Sequence, residues 1–106
     1  MDHQKMSVNE LIKIWIAGKE SFYFFLPDAP YGRPFDNQYA VKKVESVDDY
    51  LVIQFDGDIV LSFIGELKIV DEGCNLLISN YIECRFEVYG QAAKCFDYGE
   101  VVLNGF

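Results

Sequence analysis

Most of this chain alternates apolar and polar residues at a period of two, in short runs separated by turn residues. The clearest case is "DDYLVIQF" (48–55) followed by "DIVLSFI" (58–64), joined through Asp56-Gly57-Asp58. Asp-Gly between two alternating runs is the strongest short-range signal for a β-hairpin. The same rhythm recurs in "ESFYFFL" (20–26), "YAVKKVESV" (39–47), "LKIV" (67–70), "CNLLIS" (74–79) and "YIECRFEVY" (81–89). In the last of these, Ile82, Cys84, Phe86 and Val88 should face a core, and Glu83, Arg85 and Glu87 water. "EVVL" (100–103) reads as a final strand and "QAAKCF" (91–96) as a single helical turn. The paired lysines of "YAVKKVESV" suit an edge strand.

One segment departs from this rhythm. Ser7 and Glu10 have the S-x-x-E spacing of a helix capping box, with Met6 and Leu11 placed for a hydrophobic staple. Val8, Leu11, Ile12 and Trp15 then recur at helical spacing, with Ile14 and Ile16 at the margins of that face and Gly18 as the stop. No strand–helix–strand crossover is visible. The expected fold is α+β, mostly β: an N-terminal helix packed, with Trp15 inside, on a strongly curved antiparallel sheet or small roll or barrel of six to eight strands. With 106 residues the chain forms one domain.

Charge and composition exclude several classes of function. The net charge is −8, and it is uneven. Residues 1–46 balance six basic against six acidic groups, whereas residues 47–106 hold three basic and eleven acidic ones. Phosphate backbones need a basic face, so nucleic acid is a poor partner and a basic protein a better one. No apolar run is long enough for a membrane span, and the polar start lacks a secretory signal, so a cytoplasmic protein is expected. Cys74, Cys84 and Cys95 form no C-x-x-C pair, and His3 is the one histidine. The thiols are therefore expected as small buried groups, with neither a metal site nor a cofactor.

The least regular stretch is "FFLPDAPYGRPFDNQY" (24–39), which holds all three prolines and five aromatics. Pro27 ends a strand, Ala29-Pro30-Tyr31-Gly32 fits a type I turn, and Asp36 and Asn37 favour local side-chain turns. A stiff loop of this length is often functional. Tyr31, Phe35 and Tyr39 offer flat contact area, and Arg33, Asp36 and Asn37 offer polar contacts. These six are the candidate binding residues. The alternative reading is an ordered cover, with Tyr31 and Phe35 expected over the end of the sheet and Arg33 expected to pair with Asp28 or Asp36. "LPD" (26–28) followed by "YGRPFDN" (31–37) resembles a segment of small bacterial proteins with no assigned activity. That resemblance implies a small stand-alone bacterial protein and carries over no catalytic residue.

No nucleophile–base set, phosphate-binding glycine loop or calcium loop is legible. The Asp48-Asp49 and Asp56/Asp58 pairs fall at turns, where aspartate serves the backbone. The expectation is a non-catalytic protein–protein interaction domain, of which an immunity or inhibitor protein for a basic partner is one specific form. The alternatives are a small-ligand module built on the Pro27–Gln38 loop, and a homodimer.

Overall fold

A computed structural model of the chain describes residues 7–27, 39–47, 50–88 and 94–106. It is an α+β protein, mostly β, built from one N-terminal helix and antiparallel strands. The nine described strands exceed the expected six to eight and divide into two sheets instead of one rolled sheet. Sheet I has the order β1 (Phe22–Phe25), β9 (Val101–Gly105), β6 (Asn75–Ser79), β5 (Lys68–Asp71). Sheet II has the order β2 (Val41–Val47), β3 (Tyr50–Phe55), β4 (Ile59–Ile64), β7 (Glu83–Val88), β8 (Lys94–Phe96). Along the chain the path switches sheets after β1, β4, β6 and β8.

The alternation seen in the sequence is what lets the two sheets share one core. Phe22 and Phe24 of β1, Leu76 and Ile78 of β6, and Val101 and Leu103 of β9 are buried against Leu51, Ile53 and Phe55 of β3 and Leu61 and Phe63 of β4. Phe24 is the main link. Its ring stacks on Phe55 at 5.0 Å and meets Phe86 at 5.7 Å. The Asp56-Gly57-Asp58 hairpin forms as expected, closed by the pair Phe55↔Ile59. β2 is the edge of sheet II, and a register irregularity between Val41 and Lys43 puts a bulge at the paired lysines. Bulges and exposed lysines both discourage pairing with another chain's strand. In the later chain, Lys94–Phe96 is a strand instead of the end of a helical turn.

α1 (Val8–Ala17) begins as the capping box predicts, with the Ser7 side chain accepting from the Glu10 N–H at 3.1 Å. Gly18 is its C-cap. Met6, the other half of the expected staple, lies outside the described residues. The buried face differs from the expected one. Asn9, Ile12, Trp15 and Ile16 are buried, whereas Leu11 and Ile14 are exposed. The helix is rotated because it is tied to both sheets. Asn9 Nδ2 donates to Ser46 Oγ of β2 at 3.1 Å, and Trp15 Nε1 donates to the Gly73 carbonyl of the β5–β6 turn at 3.1 Å. Gly105 makes room for this seat. A Cβ there would lie 2.9 Å from Lys19 Cγ and 3.0 Å from both the Phe22 and Trp15 rings.

Two sheet-switching corners lie side by side. Ile82 N donates to the Ile64 carbonyl at 2.8 Å, and Asn80 Nδ2 donates to the Glu66 carbonyl at 2.9 Å. Gly65 permits the approach: its φ is +123°, and a Cβ there would sit 2.8 Å from Ile82 N. This corner also corrects the expected alternation of 81–89. Cys84 and Phe86 do face the core, but Ile82 is exposed and Tyr81 is buried in its place.

The cysteines divide. Cys84 is fully buried, whereas Cys74, in a turn, and Cys95, on the outer face of β8, are exposed, contrary to the expectation for all three. Burial first, then the negative charges of Cys95 and Glu83, push the Cys84 thiol from 9.0 up to about 12. Folding thus favours the neutral thiol. Between pH 9 and 12 the unfolded chain gives up this proton and the folded one keeps it, so stability is intact below about pH 9 and declines above it. The full effect is on the order of 4 kcal/mol. Urea midpoints from pH 7 to 11 should fall for the native chain and fall distinctly less for Cys84→Ala. Parallel curves would show that the thiol is not the source.

Candidate interaction surface

Of the six candidate binding residues, Tyr31, Arg33, Phe35, Asp36 and Asn37 lie outside the described residues. Tyr39 is described, and the structure gives it an anchoring position. It exchanges two backbone hydrogen bonds of 2.9 Å with Phe22, and its half-buried ring lies 6.0 Å from Phe24. Next to it, the Ala40 carbonyl accepts from Asp56 N at 2.9 Å. The Asp48-Asp49 pair also lies outside the described residues. Asp56 and Asp58 are exposed in their hairpin turn.

A different surface emerges at the corner end of sheet II. Register places Val47 beside Tyr50, Tyr50 beside Ile64, and Ile64 beside Glu83, all on the outward face. Val47, Tyr50 and Ile64 are exposed, as is Ile82 at the adjoining corner with 68% of its surface accessible. Tyr98 is also exposed, and two contacts hold it beside the buried Tyr81 and Phe96 of the same corner. Its carbonyl accepts from Tyr81 Oη at 2.8 Å, and its ring meets Phe96 edge-on at 6.0 Å. Burial raises the Tyr81 hydroxyl well above its ordinary range, with the charges of Cys84, Glu100 and Tyr98 adding to the effect, so it remains a donor.

Acidic groups frame this apolar end. Glu66, Asp97 and Glu100 are exposed and make no ion pair among the described residues, and Glu83 stands between them. Arg85 of β7 is a cation on this surface, and it is already engaged. It lies 3.5 Å from Glu83 and 4.0 Å from Glu87. A hydrogen bond to the Cys95 side chain is the first cause that raises its pKa. Exposed pairs of this kind contribute little to stability, so they orient Arg85 more than they stabilise the fold.

Glu83 and Arg85 form a ridge between two clefts. One, of about 230 Å³, is lined by Tyr50, Ser62, Ile64, Glu83 and Arg85. The other, of about 530 Å³, is lined by Ile82, Glu83, Arg85, Cys95, Phe96 and Asp97. Each has an apolar wall beside a carboxylate, which suits a side chain with an aliphatic stem and a cationic head. Among the described residues, no group of three or more His, Cys, Asp or Glu could hold a metal ion. No described helix is long and apolar enough to cross a membrane.

The sequence held a partial signal for this surface. The alternation of "DDYLVIQF" and "DIVLSFI" already sets Tyr50 and Ile64 on the face opposite the core residues Leu51 and Phe63. Only the three-dimensional corner adds Ile82 and Tyr98. No family model, curated protein or solved structure matches the chain.

Proposed function

We propose that the protein is a non-catalytic interaction domain whose corner end of sheet II docks a basic protein partner in the cytoplasm. The supporting observation is the exposed set Tyr50, Ile64, Ile82 and Tyr98 framed by Glu66, Glu83, Asp97 and Glu100. Exposed apolar groups bordered by an excess of carboxylates are what such a site needs: area to bury and a field that steers the approach. The specific form is an immunity or inhibitor protein that neutralises a basic toxin. Aromatic and aliphatic groups at the centre would hold the partner, and the carboxylates would select its lysines and arginines.

A synthetic peptide alternating lysine and leucine is a direct probe. Amide chemical shifts should move at Tyr50, Ile64, Ile82 and Tyr98. The affinity should weaken by roughly tenfold between about 50 and 500 mM salt as screening shortens the reach of the carboxylates. The double variant Glu83→Lys, Asp97→Lys should weaken it by about tenfold or more, whereas Asp56→Lys, Asp58→Lys in the β3–β4 turn should change it little. Salt-independent binding, or shifts confined to another face, would refute the assignment.

A further inference from the structure

The outer face of sheet I differs from that of sheet II. Its outward positions form a row by register: Phe25 beside Val102, Val102 beside Leu77, and Leu77 beside Val70. Val70 is 46% exposed and the other three are half-buried. The next row includes Asn104 and Asn75, hydrogen-bonded to each other at 2.7 Å. Lys68, at one corner, is the one charged side chain among the outward positions of the four strands. Sheet II, by contrast, presents Lys43, Glu45, Glu83, Arg85 and Glu87 on its outer face.

We infer that this face is a self-association surface, and that its occupant is a second copy of the same chain. Two observations point to a copy. First, a chain of net charge −8 repels itself, and the outward strand positions of sheet I are where two copies can meet without burying a carboxylate. Second, the row is complementary to itself. A two-fold axis along the strands, between β9 and β6, sets Phe25 of one copy over Val70 of the other and Val102 over Leu77. Large sits on small at each end and the spacing stays level, as an isologous contact requires.

The face is small. Four strands about 4.8 Å apart and five residues of about 3.3 Å each span roughly 19 by 17 Å. That footprint falls short of the ~800 Å² per partner typical of stable complexes. The dimer is therefore weak and transient.

Sedimentation equilibrium from about 5 to 500 µM tests this. The average mass should rise with concentration, and rise further in about 0.5 M salt, because screening relieves the repulsion between acidic copies. Basic-partner docking has the opposite salt dependence, so each proposal can fail without the other. Phe25→Lys and Val70→Glu, each confirmed folded by thermal melting, should each raise the dissociation constant at least about tenfold. Mixing the two variants should restore much of the association, because the ammonium introduced on β1 of one copy then faces the carboxylate introduced on β5 of the other. A chain that stays monomeric at the highest concentration in high salt would overturn the inference. So would a dimer that ignores Phe25→Lys, which would place the contact at the β5 edge or on sheet II.

Discussion

Replacing Phe24 with alanine is expected to remove about 3–5 kcal/mol of stability, a large part of the roughly 5–15 kcal/mol that holds a domain of this size together. The cost is large because Phe24 does more than fill volume. It is 2% exposed and stacks on Phe55, so it carries the contact between the two sheets. It also meets Phe86 of β7 and the ring of Tyr39, which anchors the chain where it enters β2. Truncation leaves a cavity bounded by three rings from separate parts of the chain, and no single rotation fills it. Phe24→Leu keeps most of the volume and should cost only about 1–2 kcal/mol. Denaturant midpoints of both variants give the comparison. A loss below about 1.5 kcal/mol for the alanine variant would mean that the sheets do not lean on this ring.

The second large effect belongs to Gly65. With φ at +123° it occupies a backbone region that residues with a side chain rarely adopt, which costs roughly 1–3 kcal/mol. A methyl group would also lie 2.8 Å from Ile82 N, the donor of the bond to the Ile64 carbonyl. Losing that bond adds about 1–2 kcal/mol. Gly65→Ala should therefore cost about 2–5 kcal/mol. Gly73 isolates the first contribution. Its φ is also positive, at +82°, but a Cβ there meets nothing within 4 Å. Gly73→Ala should show the conformational cost alone, about 1–2 kcal/mol. Equal losses for the two variants would remove the crowding at the corner from the account. Because this corner carries Ile64 and Ile82, Gly65→Ala should also weaken peptide binding under conditions where the chain stays folded.

These residues also show where sequence reading succeeds and where it stops. Local chemistry was legible. Ser7 and Glu10 announce the helix start, Asp-Gly announces the β3–β4 hairpin, and Lys42-Lys43 announce an edge. Each is decided by neighbours a few residues away. Alternation told which side of a strand faces the core, but not which strand it faces. Nothing in "ESFYFFL" says that β1 pairs with β9, so alternation alone implies one roll where the structure has two sheets. Helical spacing left the rotation of α1 open among several apolar residues. The bonds of Asn9 to Ser46 and of Trp15 to Gly73 decided it in favour of Ile16 over Leu11. Ile82 illustrates the same limit, since its parity predicts burial and only the contact between two corners turns it out to water. For the candidate site, the acidic excess after residue 46 was visible in the sequence, but its association with Tyr50, Ile64, Ile82 and Tyr98 depends on that same corner.

The order of strands in sheet I has a kinetic consequence. β1 takes its neighbour from β9, so Phe22 finds Gly105 across most of the chain, while β6, β5 and all of sheet II are laid down between them. During synthesis or refolding, the Phe22–Phe25 segment has only the Phe22–Tyr39 bridge beside it until Val101–Gly105 arrives. Closing so long a loop is entropically costly and slow, which puts folding in the millisecond-to-second range of topologies rich in distant pairings. Until that closure the waiting aromatic strand is the segment most exposed to capture by a chaperone or by another nascent chain.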